Sequence, residues 1–98
     1  MKPCICLIED DLIMGEALVE RFDMEGFSCD WFRNGNDAFL PLRNKLYALV
    51  VSDIRLPGQD GLALFDEIRS TRPTLPVILL TAHGTIPDAV QAMSRGVF

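Results

Sequence analysis

The stretch "ALVVSDIRLPGQDG", residues 48–61, decides the fold. Leu49 to Val51 form an apolar run without a polar alternate, the pattern of a strand covered on both faces. Yet the run ends in an acid, Asp53, and Pro57, Gly58 and Gly61 follow at once. A carboxylate at the tip of a buried strand needs a reason, and the rest of the chain supplies candidates.

Working outward, apolar runs and helical spacings alternate. "CICLI" (Cys4–Ile8) reads as a first buried strand and "YALVVS" (Tyr47–Ser52) as the third. "FSCDWF" (Phe27–Phe32) alternates and is aromatic, which places the second strand at an edge, and "PVILLT" (Pro76–Thr81) is the fourth. From Leu12 to Glu25, the residues Ile13, Met14, Ala17, Leu18 and Phe22 recur at helical spacing, and Gly26 supplies a stop. Asn34, Gly35 and Asn36 form a turn, with Asn36 as N-cap of a short helix through Leu42 that Pro41 weakens. A third helix runs from Asp60 to Arg72 and stops at Pro73, with Leu62, Leu64, Phe65 and Ile68 on one face. A fourth runs from Pro87 to Arg95 and is closed by Gly96.

Strand and helix alternating with fully apolar strands mean a parallel sheet with right-handed helical crossovers on both faces. The chain of 98 residues, 49% apolar, suits one domain. Net charge is −5 and no Lys/Arg cluster occurs, which excludes direct contact with nucleic acid or an anionic membrane. No run approaches membrane-spanning length and no signal peptide is visible. Cys4, Cys6 and Cys29 lie inside apolar or alternating runs and are odd in number, so they read as reduced core thiols of a cytoplasmic protein.

In an open parallel sheet the carboxyl ends of the strands share one edge, where ligands bind. That edge collects Glu9, Asp10 and Asp11 from strand one, Ser52 and Asp53 from strand three, and Thr81 to Gly84 from strand four. Gathered carboxylates repel one another unless a cation neutralises them. An oxygen-only ligand set suits a hard ion such as Mg²⁺, which keeps waters and takes a phosphoryl oxygen. A lone strand-end acid would need no such account, and Asp11 also fits a plain capping role at the first helix.

The chain resembles a response-regulator receiver domain of two-component signalling. The resemblance rests on "LIEDD", "VVSDIRLPGQDGLALF" and "PVILLTAHG", while "TAHGTIPDAVQAMSRGVF" is similar to the subgroup that activates sigma-54 promoters, such as nitrogen and C4-dicarboxylate regulators. It implies a flavodoxin-like doubly wound parallel sheet in strand order 2-1-3-4. It also implies that Asp53 is the phosphoryl acceptor and that Asp10 and Asp53 hold Mg²⁺ directly. Glu9 would act through a water, and the backbone carbonyl of Arg55 would be a further ligand. Thr81 would hydrogen-bond the arriving phosphoryl group. Arg55 and His83, each two places after a functional residue, would tune the lifetime of the acyl phosphate. Pro57, Gly58 and Gly61 would shape the loop after the acceptor, a structural role.

The resemblance further implies a sensor histidine kinase as partner and an output domain, an ATPase plus a DNA-binding unit, outside this chain. The domain would take part in its own phosphorylation and dephosphorylation without being a turnover enzyme. Its pattern continues past Phe98 into a fifth strand carrying a lysine and a switch aromatic, then a fifth helix, so residues 1–98 are expected to be a C-terminally incomplete receiver. The bare edge would then favour a homodimer. Three other readings compete. A non-phosphorylated interaction or dimerisation module of the same fold would not need the acids. A phosphohydrolase with an aspartyl intermediate would want an acid where Arg55 stands. A flavin site would want a phosphate-cradling loop where "EDDLIMG" is acidic.

Overall fold

The structure is a computed structural model and describes residues 2–53 and 61–80. Four strands, β1 (Cys4–Ile8), β2 (Ser28–Phe32), β3 (Leu49–Asp53) and β4 (Val77–Leu80), form one sheet in the order β2-β1-β3-β4. All neighbours pair parallel, with Ile5 opposite both Cys29 and Leu49, and Asp53 opposite Leu80. The helices are α1 (Leu12–Met24), α2 (Gly35–Asn44) and α3 (Gly61–Thr71). The expected doubly wound architecture and strand order are therefore those observed. The fourth helix, expected over 87–95, lies outside the described residues. Among the described residues no helix is long and apolar enough to cross a membrane.

Alternation along β1 sorts the core into two layers. Ile5 and Leu7 pack with Val51 beneath α1, against Leu18, Val19 and Phe22. Cys6 and Ile8 face the other way, into a layer with Ala38 and Leu42 of α2, Leu64, Phe65 and Ile68 of α3, and Val50 of β3. Cys6 is buried and free, and burial pushes its thiol up to about 12. Burial likewise pushes Cys29 up to about 11, so both remain neutral thiols.

The helix ends follow from local chemistry. Asp11 caps α1, its carboxylate accepting from the Met14 N–H at 3.0 Å. At the other end Phe27 N–H donates to the Phe22 carbonyl and Gly26 N–H to that of Asp23, with Gly26 at φ 90°, a Schellman stop that needs glycine's freedom.

Several boundaries differ from the sequence reading. The N-cap of α2 is Asn34 rather than Asn36. Asn34 Oδ1 accepts from Asp37 N–H at 2.9 Å and its amide donates to the Asp37 carboxylate at 3.0 Å, so the helix starts earlier. It also continues past Pro41 to Asn44, two residues beyond the expected Leu42. The lost proline donor is offset at the C-terminus by Arg72, whose guanidinium donates to the carbonyls of Leu42 at 2.7 Å and Arg43 at 2.9 Å. Strand β3 starts at Leu49, not Tyr47, and Tyr47 directs its hydroxyl to Asp30 on β2.

The inward face of α1 also differs. Ile13 is 83% exposed and Met14 41%, while Gly15, Leu18, Val19 and Phe22 face the sheet. The cause is Trp31: a Cβ at Gly15 would overlap its indole ring, so the glycine marks where edge strand and helix touch.

Candidate functional site

Strand β1 ends at Ile8, and the chain leaves the sheet through Glu9 and Asp10 before Asp11 opens α1. Strand β3 reaches Asp53, one register step beyond the Ile8–Ser52 pair. Parallel pairing thus puts the two strand ends side by side. Glu9, Asp10 and Asp53 each present a carboxylate oxygen, and these oxygens lie within 4.8 Å of one another. Glu9 and Asp53 are buried to 1% exposure, whereas Asp10 is half-buried and opens the cluster toward solvent.

The backbone around the acidic pair is held at several points. Glu9 N–H donates to the Phe32 carbonyl at 2.9 Å, continuing the ladder between β1 and β2. Glu9 Oε1 accepts from the Asp11 N–H at 3.2 Å. The Trp31 indole N–H donates to the Glu9 carbonyl at 2.9 Å, and Arg33 Nη2 donates to the Asp10 carbonyl at 3.1 Å. On β3, Ser52 Oγ donates to the Asp53 carbonyl at 3.0 Å. Beside Asp10 a cavity of about 540 Å³ is lined by Trp31, Arg33, Asn34 and Asp37.

Of the candidate residues read from sequence, the structure brings Glu9, Asp10 and Asp53 together. Asp11 caps the helix and stands outside the cluster, in line with its plain reading. Thr81, Arg55 and His83 lie outside the described residues, as do Pro57 and Gly58. Leu80, the residue before Thr81, is paired with Asp53 across β3 and β4.

Trp31 and Arg33 are not among the candidate residues read from sequence. A signal was available for Trp31: as the only tryptophan, in an edge strand, it carries a donor that burial obliges it to satisfy. An alternative site for acids and thiols, around Cys4, Cys6 and Asp30, is locally neutralised. Asp30 accepts from Lys45 Nζ at 2.8 Å and Tyr47 Oη at 2.7 Å.

As a donor set the cluster is all carboxylate, half accessible and preformed, which fits a hard divalent cation and a phosphoryl group far better than a soft metal. Comparisons with known proteins identify the family. A family model described as the response regulator receiver domain matches residues 5–98. Among curated proteins, the chain is 42% identical over 96 residues to the C4-dicarboxylate transport transcriptional regulatory protein DctD of Rhizobium meliloti, covering 98% of this chain and 21% of that protein. It is 38% identical over 94 residues to the DNA-binding transcriptional regulator NtrC of Salmonella typhimurium, covering 96% of this chain and 20% of the relative. The chain therefore spans about a fifth of the length of the curated relatives it matches. Among solved structures, the non-phosphorylated HemR receiver domain from Leptospira biflexa superposes with a TM-score of 0.89 at 32% identity, over 98% of this chain and 77% of that one.

Proposed function

The chain belongs to the response regulator receiver domain family, and from that premise we propose that it accepts a phosphoryl group on Asp53 from a sensor histidine kinase and passes the change to a transcriptional output domain. The observation that carries the reading is the convergence of Glu9, Asp10 and Asp53 within 4.8 Å at the ends of two parallel strands. Such a cluster is costly to build from repelling carboxylates, and the cost is offset when a divalent cation enters.

Asp10 and Asp53 would hold Mg²⁺ directly, Glu9 through a water, and the carbonyl of Arg55 would complete the protein's share. When bound, the ion supplies neutralising charge for the phosphoryl oxygens. The remaining chemistry belongs to the chain's own residues. An Asp53 carboxylate oxygen bonds to phosphorus as the bond from phosphorus to the donor histidine nitrogen breaks. The electron pair returns to the imidazole and an acyl phosphate forms on Asp53. Burial of Asp53 keeps bulk water from the acyl phosphate and so favours its survival. Thr81 would accept the product geometry with a hydrogen bond to the phosphoryl group. His83 and Arg55, each two places along, would govern access of hydrolytic water.

The change from carboxylate to phosphoryl group biases the surface beyond β4, and this selects partners for an ATPase and DNA-binding output. The domain is a signalling module of this kind rather than a turnover enzyme. Its relation to DctD and NtrC supports a sigma-54-dependent output in the cytoplasm.

The test is mass spectrometry of the chain, and of the longer protein containing it, after treatment with acetyl phosphate and Mg²⁺. The expected result is one hydroxylamine-sensitive phosphoryl adduct that maps to Asp53 and is lost in Asp53→Ala. No adduct on the longer protein in the presence of Mg²⁺ would instead support an interaction module that has kept the fold without phosphotransfer.

A further inference from the structure

Three successive residues of β2 and its exit grip the backbone of the acidic pair. The Trp31 indole holds the Glu9 carbonyl, the Phe32 carbonyl receives the Glu9 N–H, and Arg33 holds the Asp10 carbonyl. Fixing both carbonyls fixes the planes of the peptides that follow Glu9 and Asp10. Peptide planes set the direction of the attached Cα–Cβ bonds, and so limit the positions that the two carboxylates can reach. The grip itself depends on α1, because the indole occupies space that any side chain at Gly15 would fill. Carboxylates within 4.8 Å of one another repel, and a backbone held at these points limits how far they can move apart.

We infer that Trp31 and Arg33 are positioning residues for the divalent-cation site. They hold the Glu9–Asp10 backbone so that both side chains stay gathered with Asp53 before the ion arrives, and Gly15 is the space that makes the Trp31 contact possible. The inference rests on the Mg²⁺ reading given above. It assigns to the edge strand a share of the cation affinity, since a site already assembled loses less order on binding. A plain packing role for Trp31 would leave the affinity of the folded protein untouched. For Arg33 the two roles differ in sign. Removing a positive charge beside a cation site strengthens cation binding by electrostatics alone, whereas losing a positioning contact weakens it.

The experiment measures Mn²⁺ binding by the free-ion electron paramagnetic resonance signal, with Mg²⁺ as competitor, and records the metal-free thermal midpoint of each variant. Trp31→Phe keeps most of the ring and deletes the N–H, and it is expected to weaken binding about tenfold. Arg33→Ala, at an exposed position, is expected to weaken binding about threefold with an unchanged metal-free midpoint. Wild-type affinity in Trp31→Phe, or an Arg33→Ala affinity equal to or tighter than wild type, overturns the assignment of that residue while leaving the cation site standing. If Trp31→Phe does not fold, Arg33→Ala decides the question alone. Absence of binding to the wild-type chain would overturn the Mg²⁺ reading itself, a failure distinct from either of these.

Discussion

On β2, Asp30 is surrounded by donors: Lys45 reaches it from the end of α2 and Tyr47 from the approach to β3. At the carboxyl ends of β1 and β3, Glu9, Asp10 and Asp53 bring a carboxylate oxygen each within 4.8 Å of one another. Both arrangements place carboxylates against a buried sheet, and they differ in what the fold gains. The Asp30 cluster ties the α2–β3 connection to the edge strand, so its charges work for stability. At the strand-end cluster the backbone of Glu9 and Asp10 is held by Trp31, Phe32 and Arg33. Structural acids arrive with their cation built in. Acids from two strand ends brought within reach of one ion are the donor set a hard cation takes.

The widest separation of the two regions comes from neutralising one acid in each. Asp10→Asn is expected to abolish the stabilisation that Mg²⁺ gives the wild-type chain and, without metal, to raise stability by about 1–2 kcal/mol. That figure follows from a repulsion of roughly 3 kcal/mol between charges at such separations with an effective dielectric near 20, reduced by the exposure of Asp10. Asp30→Asn should move stability the other way. Thermal midpoints of both variants with and without Mg²⁺ check the contrast, and shifts of the same sign in metal-free buffer would erase it.

Next in size is Tyr47→Phe. The Tyr47 hydroxyl is held strongly in its neutral form, first by burial and then by its bond to the Asp30 carboxylate, so it acts only as a donor there. Removing the oxygen keeps the ring in the core and leaves Asp30 with Lys45. The expected loss is about 1 kcal/mol, measured by urea unfolding, with Mg²⁺ affinity unchanged. A changed Mg²⁺ affinity would show that the two regions are coupled through β1.

The contrast also explains what could be read from sequence. The four strands were legible because three are apolar runs and the second alternates with aromatic residues, and the cluster because strand ends in a parallel sheet share an edge. Hydropathy periodicity misplaced the inner face of α1, counting Ile13 and Met14 inward, because nothing local reveals that Gly15 accommodates a ring sixteen positions away. The last carbonyls of α2 past Pro41 are met by Arg72, thirty residues beyond Leu42. The N-cap was within reach: Asn34 followed by Asp37 three places later is the pattern of a reciprocal cap, and it outranks Asn36. Contacts that cross elements, such as those of Trp31 and Arg72, leave no periodic trace, and they govern the details that pattern misses.

The smallest effect sharpens the Asp30 side of the comparison through pH. The hydrogen bond from Lys45, followed by that from Tyr47, holds the Asp30 carboxyl below the usual carboxylate range. A carboxyl depressed in the folded state contributes stability that is complete above its unfolded pKa of about 3.9, and that contribution disappears as pH falls through the lower folded value. Because the pair is largely exposed, the contribution at neutral pH is expected to be below about 1 kcal/mol and to shrink with added salt. Wild type and Asp30→Asn should therefore differ modestly at neutral pH and converge in acid, as followed by chemical unfolding at a series of pH values. A difference that persists undiminished at the acid end would mean that the asparagine disturbs packing rather than charge. Asp30 would then no longer serve as the neutralised counterpart of the strand-end acids.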